Sequence, residues 1–76
     1  MQRLDWKLAY ANAIRATHDE WVYTITFRHD GQWQLCAEPI QDRGPDWRRW
    51  YTTAYLQDAM AIAQALAACV DLSGES

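Results

Sequence analysis

The chain has 76 residues, a formal net charge of −3, and apolar side chains at 50% of its positions. This length predicts one domain covering residues 1–76, and the composition is typical of a globular protein. The acidic balance disfavours a general binder of duplex DNA or of acidic membranes, because such a protein needs a net basic face.

Aromatic side chains are frequent, with five Trp, four Tyr and one Phe. A buried aromatic side chain removes about 150–250 Å² from water, so a few of them replace many aliphatic residues in a small core. Not all of these rings fit inside so small a domain. We therefore expect some aromatic surface to remain for a partner.

The segment 4–16 supports two interpretations. Leu4, Trp6 and Leu8 occupy alternate positions, which is typical of a strand. The alanine-rich run 8–16 favours a helix instead. Eleven of the twelve alanines lie in this segment and near the C-terminus, which suggests two helices packed on each other. We predict an N-terminal helix, with a strand as the alternative.

A β-hairpin is predicted for the middle of the chain. Residues 21–28 and 33–38 alternate with a period of two and are rich in aromatic and β-branched side chains. Asp30 and Gly31 between the two runs suit a tight turn. Pro39 is expected to end the second strand, because proline cannot donate to a ladder.

After a loop over residues 39–46, the β-prone run 47–53 is expected to form a third strand. It leads into the element with the clearest pattern, a C-terminal helix over residues 54–70 with Thr53 as its N-cap. Residues 71–76 are expected to form a flexible tail.

The back of this C-terminal helix lacks the charged pairs that normally face water. Small or neutral residues occupy that face, which allows a second helix to approach, from this chain or from another copy. A merely alanine-rich exposed face is the alternative. The residues predicted to support self-association as a homodimer are Ala61, Gln64, Ala65 and Ala68.

These elements predict an α+β fold in the order α-β-β-β-α, with a small antiparallel sheet of three strands and both helices on one face. If the N-terminal segment is a strand, the sheet is a four-stranded meander under one helix. The expected core comprises Trp21 or Tyr23, Ile25, Phe27, Leu35, Tyr55, Ile62, Leu66 and Val70.

No pattern for catalysis or cofactor binding stands out. Cys36 and Cys69 belong to no CxxC motif and are expected to be buried, reduced thiols. The glycines are isolated, so the sequence has no phosphate-binding loop. His18 and His29 flank a predicted strand that would hold the two turns about 23 Å apart, which disfavours a shared metal site. We expect no enzyme, no cofactor and no metal.

The segment 43–55 is the best candidate for a binding surface. Tryptophan, tyrosine and arginine are the residues most enriched at interface hot spots. A guanidinium group also clamps a carboxylate or phosphate with two hydrogen bonds. The predicted contacts with another protein are Arg43, Trp47, Arg48, Arg49, Trp50 and Tyr51.

Alternatives for this segment remain open. In a strand, neighbouring residues point to opposite faces, so at least one arginine is expected to face solvent while Trp50 or Tyr51 enters the core. The arginines would otherwise pair locally with Asp42 and Asp46. Nucleic acid ranks second as a partner, because aromatic and arginine side chains bind single strands but the two aspartates would oppose phosphate.

In its size, acidic pI, tryptophan content and lack of recognisable catalytic residues, the chain resembles small accessory proteins of phages and mobile elements, such as anti-CRISPR proteins. The resemblance is one of type and covers no motif, so it assigns no residue. It implies a non-catalytic protein that inhibits a host complex by binding it. Because the N-terminus has no apolar leader and no apolar run is long, a cytoplasmic location without membrane contact is expected.

Overall fold

The computed structural model describes residues 4–41 and 43–74. Within them the chain forms a five-stranded antiparallel sheet followed by one helix, which confirms the α+β class. The strands lie in the order of the sequence, so the sheet is a meander with its first and last strands at the edges. The elements are β1 (Lys7–Tyr10), β2 (Ala13–His18), β3 (Trp21–Phe27), β4 (Trp33–Pro39), β5 (Arg49–Thr53) and α1 (Leu56–Gly74), with a 3-10 turn at Pro45–Trp47.

The helix predicted within residues 4–16 is wrong, and the sheet has five strands rather than three or four. This segment contains β1 and the first part of β2, joined by a turn at Ala11 and Asn12. β2 pairs along its whole length with β3, so that Ile14 lies opposite Ile25. Pairing between strands therefore outweighs the helix propensity of the alanines.

The predicted central hairpin is confirmed, since β3 and β4 pair over their full length. Gly31 closes its turn with a φ of 83°, and the Asp30 carboxylate accepts a hydrogen bond from the backbone N–H of Gln32 at 3.1 Å. The preceding turn, between β2 and β3, contains only Asp19 and Glu20. Both have positive φ, at 48° and 67°.

The sheet has two different faces. α1 packs on one of them, over β3, β4 and β5, and we call the opposite side the open face. Beneath α1, the cross-strand partners Ile25 and Leu35 are fully buried, together with Tyr23. The helix contributes a row of three fully buried alanines at intervals of four residues: Ala59, Ala63 and Ala67.

Part of the predicted core differs from the observed one. Ile25 and Leu35 are buried as predicted, Tyr23 is buried in preference to Trp21, and Ile62 and Leu66 are half-buried at the flanks of the alanine row. Two core predictions are wrong: Phe27 is 43% exposed at the end of β3, and Tyr55 is 64% exposed before α1 begins. The Val70 side chain lies outside the described part.

The bounds of the last two elements also shift. β5 begins at Arg49 rather than at residue 47, because the 3-10 turn occupies the positions before it. Thr53 is the last residue of β5 and donates its hydroxyl to the Tyr55 carbonyl oxygen at 2.8 Å, so its predicted N-cap role is wrong. α1 begins at Leu56 and continues beyond the predicted end to Gly74, while residues 75–76 lie outside the described chain.

Candidate functional site

The predicted binding residues are divided between the two faces of the sheet. The register places Trp50 opposite Cys36 and Tyr51 opposite Leu35. Because Leu35 is buried beneath α1, half-buried Tyr51 faces the helix and Trp50 faces the open side. The six residues therefore do not form one surface.

Arg48 and Trp50 lie on the open face, whereas the alternation within the segment had left open whether Trp50 or Tyr51 enters the core. Arg48 Nε donates to Glu38 Oε2 at 3.0 Å, and both side chains are partly exposed. Glu38 follows Cys36 by two positions in β4 and so shares its face. Glu38, Arg48 and Trp50 thus lie on the same side of the sheet.

Arg43 joins this surface through the loop between β4 and β5. Its guanidinium carbon lies 5.2 Å from the centroid of the Trp47 ring, a cation–π contact. Trp47 remains 43% exposed. The structure therefore places two of the predicted side chains, Arg43 and Trp47, in direct contact.

A pocket of about 320 Å³ lies between this loop and the open face. Val22 of β3 and Ile40 contribute its apolar lining. Three arginines line it beside Glu38, and we call it the arginine pocket: Arg15, Arg43 and Arg48. The lining described is therefore net positive although the whole chain is acidic.

Sequence reasoning missed Arg15 as a member of this site. Arg15 lies in β2, within the segment that was predicted to be a helix, far along the chain from Arg43. The strand alternation of residues 4–16 was the signal that would have placed it on a sheet. Its distance from the loop in sequence gave no sign that the two arginines line one pocket.

Arg49 and Tyr51 lie on the other side of the sheet, which α1 covers. Arg49 Nη1 donates to the backbone carbonyl oxygen of Asp46 at 3.2 Å, whereas the alternative interpretation paired the arginines with aspartate carboxylates. Asp42, the other predicted partner, lies outside the described residues. Arg49 and Trp47 border an apolar pocket of about 370 Å³ beside Leu66 of α1.

The residues predicted for self-association are only partly exposed. Ala61 and Ala65 face solvent, and Ala68 is half-buried. Gln64 is engaged within the chain, because its Oε1 accepts a hydrogen bond from the Leu4 N–H at 3.0 Å. The described back of α1 therefore offers mainly small alanine side chains.

An apolar cleft of about 390 Å³ lies on the helix side of the sheet, near the start of α1. Leu8, which is 77% exposed, and Phe27 contribute to it together with Ile14 and Trp33. Sequence reasoning missed the cleft, because Leu8 was expected in a helix and Phe27 in the core.

The chemistry of the cysteines does not favour nucleophilic catalysis. Burial raises the pKa of the Cys36 thiol and the Glu38 carboxylate raises it further, while Arg48 acts in the opposite direction. A thiol with a raised pKa stays protonated near neutral pH and is a weak nucleophile. Cys69 is exposed, so its predicted burial is wrong.

Metal ligands are also dispersed. Within residues 4–41 and 43–74, no three His, Cys, Asp or Glu side chains cluster as a metal site requires. His18 precedes β3 and His29 follows it, so the two histidines lie at opposite ends of that strand. What the arrangement does provide is a set of guanidinium groups suited to an anion.

The open face thus presents an exposed aromatic side chain, Trp50, beside a pocket lined by arginines. In the part of the chain that the structure describes, no helix is long and apolar enough to cross a membrane. No family model matches the chain, and a search of the curated proteins and a search of the solved structures each found no match.

Proposed function

We propose that the chain is a non-catalytic module that binds another protein through the open face around Trp50. The observation that carries this proposal is the position of Trp50, which is 57% exposed on an edge strand, on the face opposite α1. Tryptophan is among the residues that contribute most to protein interfaces, because it offers a large rigid surface and one polar group.

The neighbours of Trp50 support this proposal. Ile40, which is 58% exposed, lies by the arginine pocket and adds a second large apolar group to the same side. The ion pair of Arg48 and Glu38 lies on the same side of the sheet and supplies charged groups beside these two apolar side chains. An apolar centre with a charged, solvated rim is the usual anatomy of a protein interface.

Inhibition of a host complex is the form of binding that the resemblance to phage accessory proteins suggests. It requires a surface that covers part of the complex and no chemistry of its own. We place the partner in the cytoplasm, because Cys36 and Cys69 are both free thiols, which is typical of a reducing compartment.

The test compares two variants that each remove one exposed aromatic ring. The tagged wild type, Trp50→Ala and Tyr55→Ala are used to capture partners from a lysate with and without nuclease treatment, after circular dichroism has shown that all three are folded. Tyr55 is 64% exposed and lies beyond the opposite end of β5 from Arg48, so it is the matched control.

We expect Trp50→Ala to lose a captured protein that the wild type and Tyr55→Ala retain. Equal capture by all three would show that the open face is not the interface. Capture that disappears with nuclease in the wild type would favour the nucleic-acid alternative over a protein partner.

A further inference from the structure

We propose that the arginine pocket binds a carboxylate side chain from an acidic segment of a partner protein. The inference rests on the proposed function, for which it specifies the chemistry of the partner. It concerns a site next to Trp50 rather than Trp50 itself, so the two proposals can fail separately.

Arginines from three distant parts of the chain line the pocket. Arg15 comes from β2, Arg43 from the loop after β4, and Arg48 from the residue before β5. Its volume of about 320 Å³ is enough for an acidic side chain. Arginines that line one pocket from separate elements define a site more closely than a run of adjacent arginines on one strand does.

Two of the three arginines are held by aromatic rings. The guanidinium carbon of Arg15 lies 5.8 Å from the centroid of the Tyr10 ring, and that of Arg43 lies 5.2 Å from Trp47. Such a contact uses the flat face of the guanidinium and leaves the N–H donors at its edge for a ligand. These side chains therefore lose less conformational entropy when they bind.

The charges of the described lining favour an anion. Glu38 accepts a hydrogen bond from Arg48. Among the residues that the structure describes, the ion pairs include neither Arg15 nor Arg43. An incoming carboxylate can accept two parallel hydrogen bonds from one of these guanidinium groups, and the second adds further attraction.

A carboxylate fits this site better than the phosphates of a nucleic acid. A nucleic-acid strand needs basic groups in series along a groove, whereas these arginines form one compact pocket that also contains Glu38. The chain as a whole carries a net charge of −3, which repels a long nucleic-acid strand more strongly than a short acidic segment. A short segment lies mainly within the local positive charge of the pocket lining.

The first experiment titrates labelled protein with small probes and follows the arginine Nε–H signals by NMR. The probes are acetyl-Glu-Glu-Glu-amide, the corresponding Gln peptide, inorganic phosphate and a short single-stranded oligonucleotide. We expect the Glu peptide to shift the Arg15 and Arg43 signals and the Gln peptide to leave them unchanged. Tighter binding of phosphate or of the oligonucleotide would overturn the assignment to a carboxylate.

Variants then locate the site. We expect Arg15→Gln combined with Arg43→Gln to weaken binding of the Glu peptide by about tenfold or more, since each removes a charged hydrogen bond. Arg28→Gln is the matched control, because Arg28 pairs with Asp30 at the far end of β3. Circular dichroism checks that each variant is folded, and an equal loss in Arg28→Gln would contradict a specific pocket.

The two proposals have distinguishable outcomes. If the Glu peptide does not bind but Trp50→Ala still abolishes capture of the partner, the carboxylate site is wrong and binding through the open face stands. If the peptide binds at the pocket while Trp50→Ala leaves capture intact, the site is an anion site and the proposed protein interface is wrong.

Discussion

At the scale of single residues, the turn between β2 and β3 has an unusual backbone. Asp19 and Glu20 both have positive φ, which is the pattern of a two-residue type I′ hairpin turn. Such turns usually contain Asn and Gly, because a side chain in the left-handed region costs about 1–2 kcal/mol. The Glu20 carbonyl oxygen accepts a hydrogen bond from the Ile40 N–H at 2.8 Å, which joins this turn to the edge of the arginine pocket.

Replacing Glu20 with glycine is therefore expected to stabilise the protein. The substitution removes the steric cost at a φ of 67° and keeps the backbone carbonyl. Greater freedom of glycine in the unfolded chain offsets part of the gain, so we expect the free energy of unfolding to rise by about 0.5–1 kcal/mol. Urea denaturation measures it, and Glu20→Gln, which removes only the charge, should change it little. A less stable Glu20→Gly variant would contradict the argument.

The two cysteines provide a residue-scale prediction about reactivity. Burial raises the pKa of Cys36, whereas Cys69 is exposed. In the variants Cys69→Ala and Cys36→Ala, which each keep one thiol, we expect iodoacetamide at neutral pH to modify Cys69 faster than Cys36. Equal rates would show that Cys36 is not shielded on the open face.

The raised pKa of Cys36 also has a consequence for stability. The folded state favours the neutral thiol more strongly than the unfolded state does, so its contribution to stability is present below the unfolded pKa and is lost as the pH rises through the raised folded pKa. The wild type should therefore lose more stability than Cys36→Ala between neutral and alkaline pH. Parallel declines in urea midpoint for the two proteins would contradict this linkage.

At the scale of elements, α1 contacts the sheet through small side chains. Ala59, Ala63 and Ala67 are fully buried, while the larger Ile62 and Leu66 lie at the flanks. A row of alanines allows the helix backbone to approach the sheet closely, where it covers Leu35. The distance between the two layers is therefore set by residues without side-chain freedom.

Enlarging the middle of this row should force the helix away from the sheet. We expect Ala63→Leu to lower the free energy of unfolding by about 1–3 kcal/mol, because overpacking displaces neighbouring side chains and backbone. Ala65→Leu adds the same atoms on the exposed side of α1, so its melting temperature should be close to that of the wild type in thermal unfolding. If both variants are equally stable, the alanine row does not set the spacing.

The elements also show how far sequence patterns reach. Alternation over residues 21–38 predicted the central hairpin because both its strands carry β-prone residues around an Asp-Gly turn. The same alternation was present at Leu4, Trp6 and Leu8, but alanine content pointed to a helix, and only pairing with β3 decided between them. Local propensity does not include such long-range pairing.

Only part of the candidate site could be predicted from the sequence, because its residues are also brought together by long-range strand pairing. Arg43, Arg48 and Trp50 were predicted, since residue type and chain proximity identify them. Arg15 was missed because it reaches the arginine pocket through the order of the strands. Alternation along β5 predicts that Arg49 and Tyr51 lie on the opposite face from Trp50. It does not predict which of the two faces α1 covers, because that depends on the packing of the whole sheet.

At the scale of the whole molecule, the helix does not cover the sheet evenly. α1 packs mainly on β3, β4 and β5, whereas β1 is a short edge strand with an irregular register near Tyr10. Regions with few buried apolar contacts open at lower free energy than the core. Stability should therefore decrease from the centre of the sheet towards β1.

Native-state hydrogen exchange would measure this gradient. We expect the amides of β3 and β4 to be the most protected, since each strand pairs on both sides and lies beneath α1. The amides of β1 should exchange fastest among the strands. Equal protection of β1 and β3 would mean that the sheet opens only as one unit.

Two leucines on the same side of the sheet extend this argument to the stability of the whole chain. Leu35 is fully buried beneath α1, whereas Leu8 is 77% exposed beside the apolar cleft. We expect Leu35→Ala to cost about 2–5 kcal/mol, which is comparable to the total stability of about 3–5 kcal/mol typical of a domain of this size. Leu8→Ala should change the free energy of unfolding by less than about 0.5 kcal/mol.

Urea denaturation followed by tryptophan fluorescence distinguishes these outcomes. If Leu35→Ala is largely unfolded, it should also fail to capture a partner, although its side chain is on the opposite face of the sheet from Trp50. Leu8→Ala should remain folded and capture the partner as the wild type does. A strongly destabilised Leu8→Ala variant would instead mean that the lining of the apolar cleft is part of the core in solution.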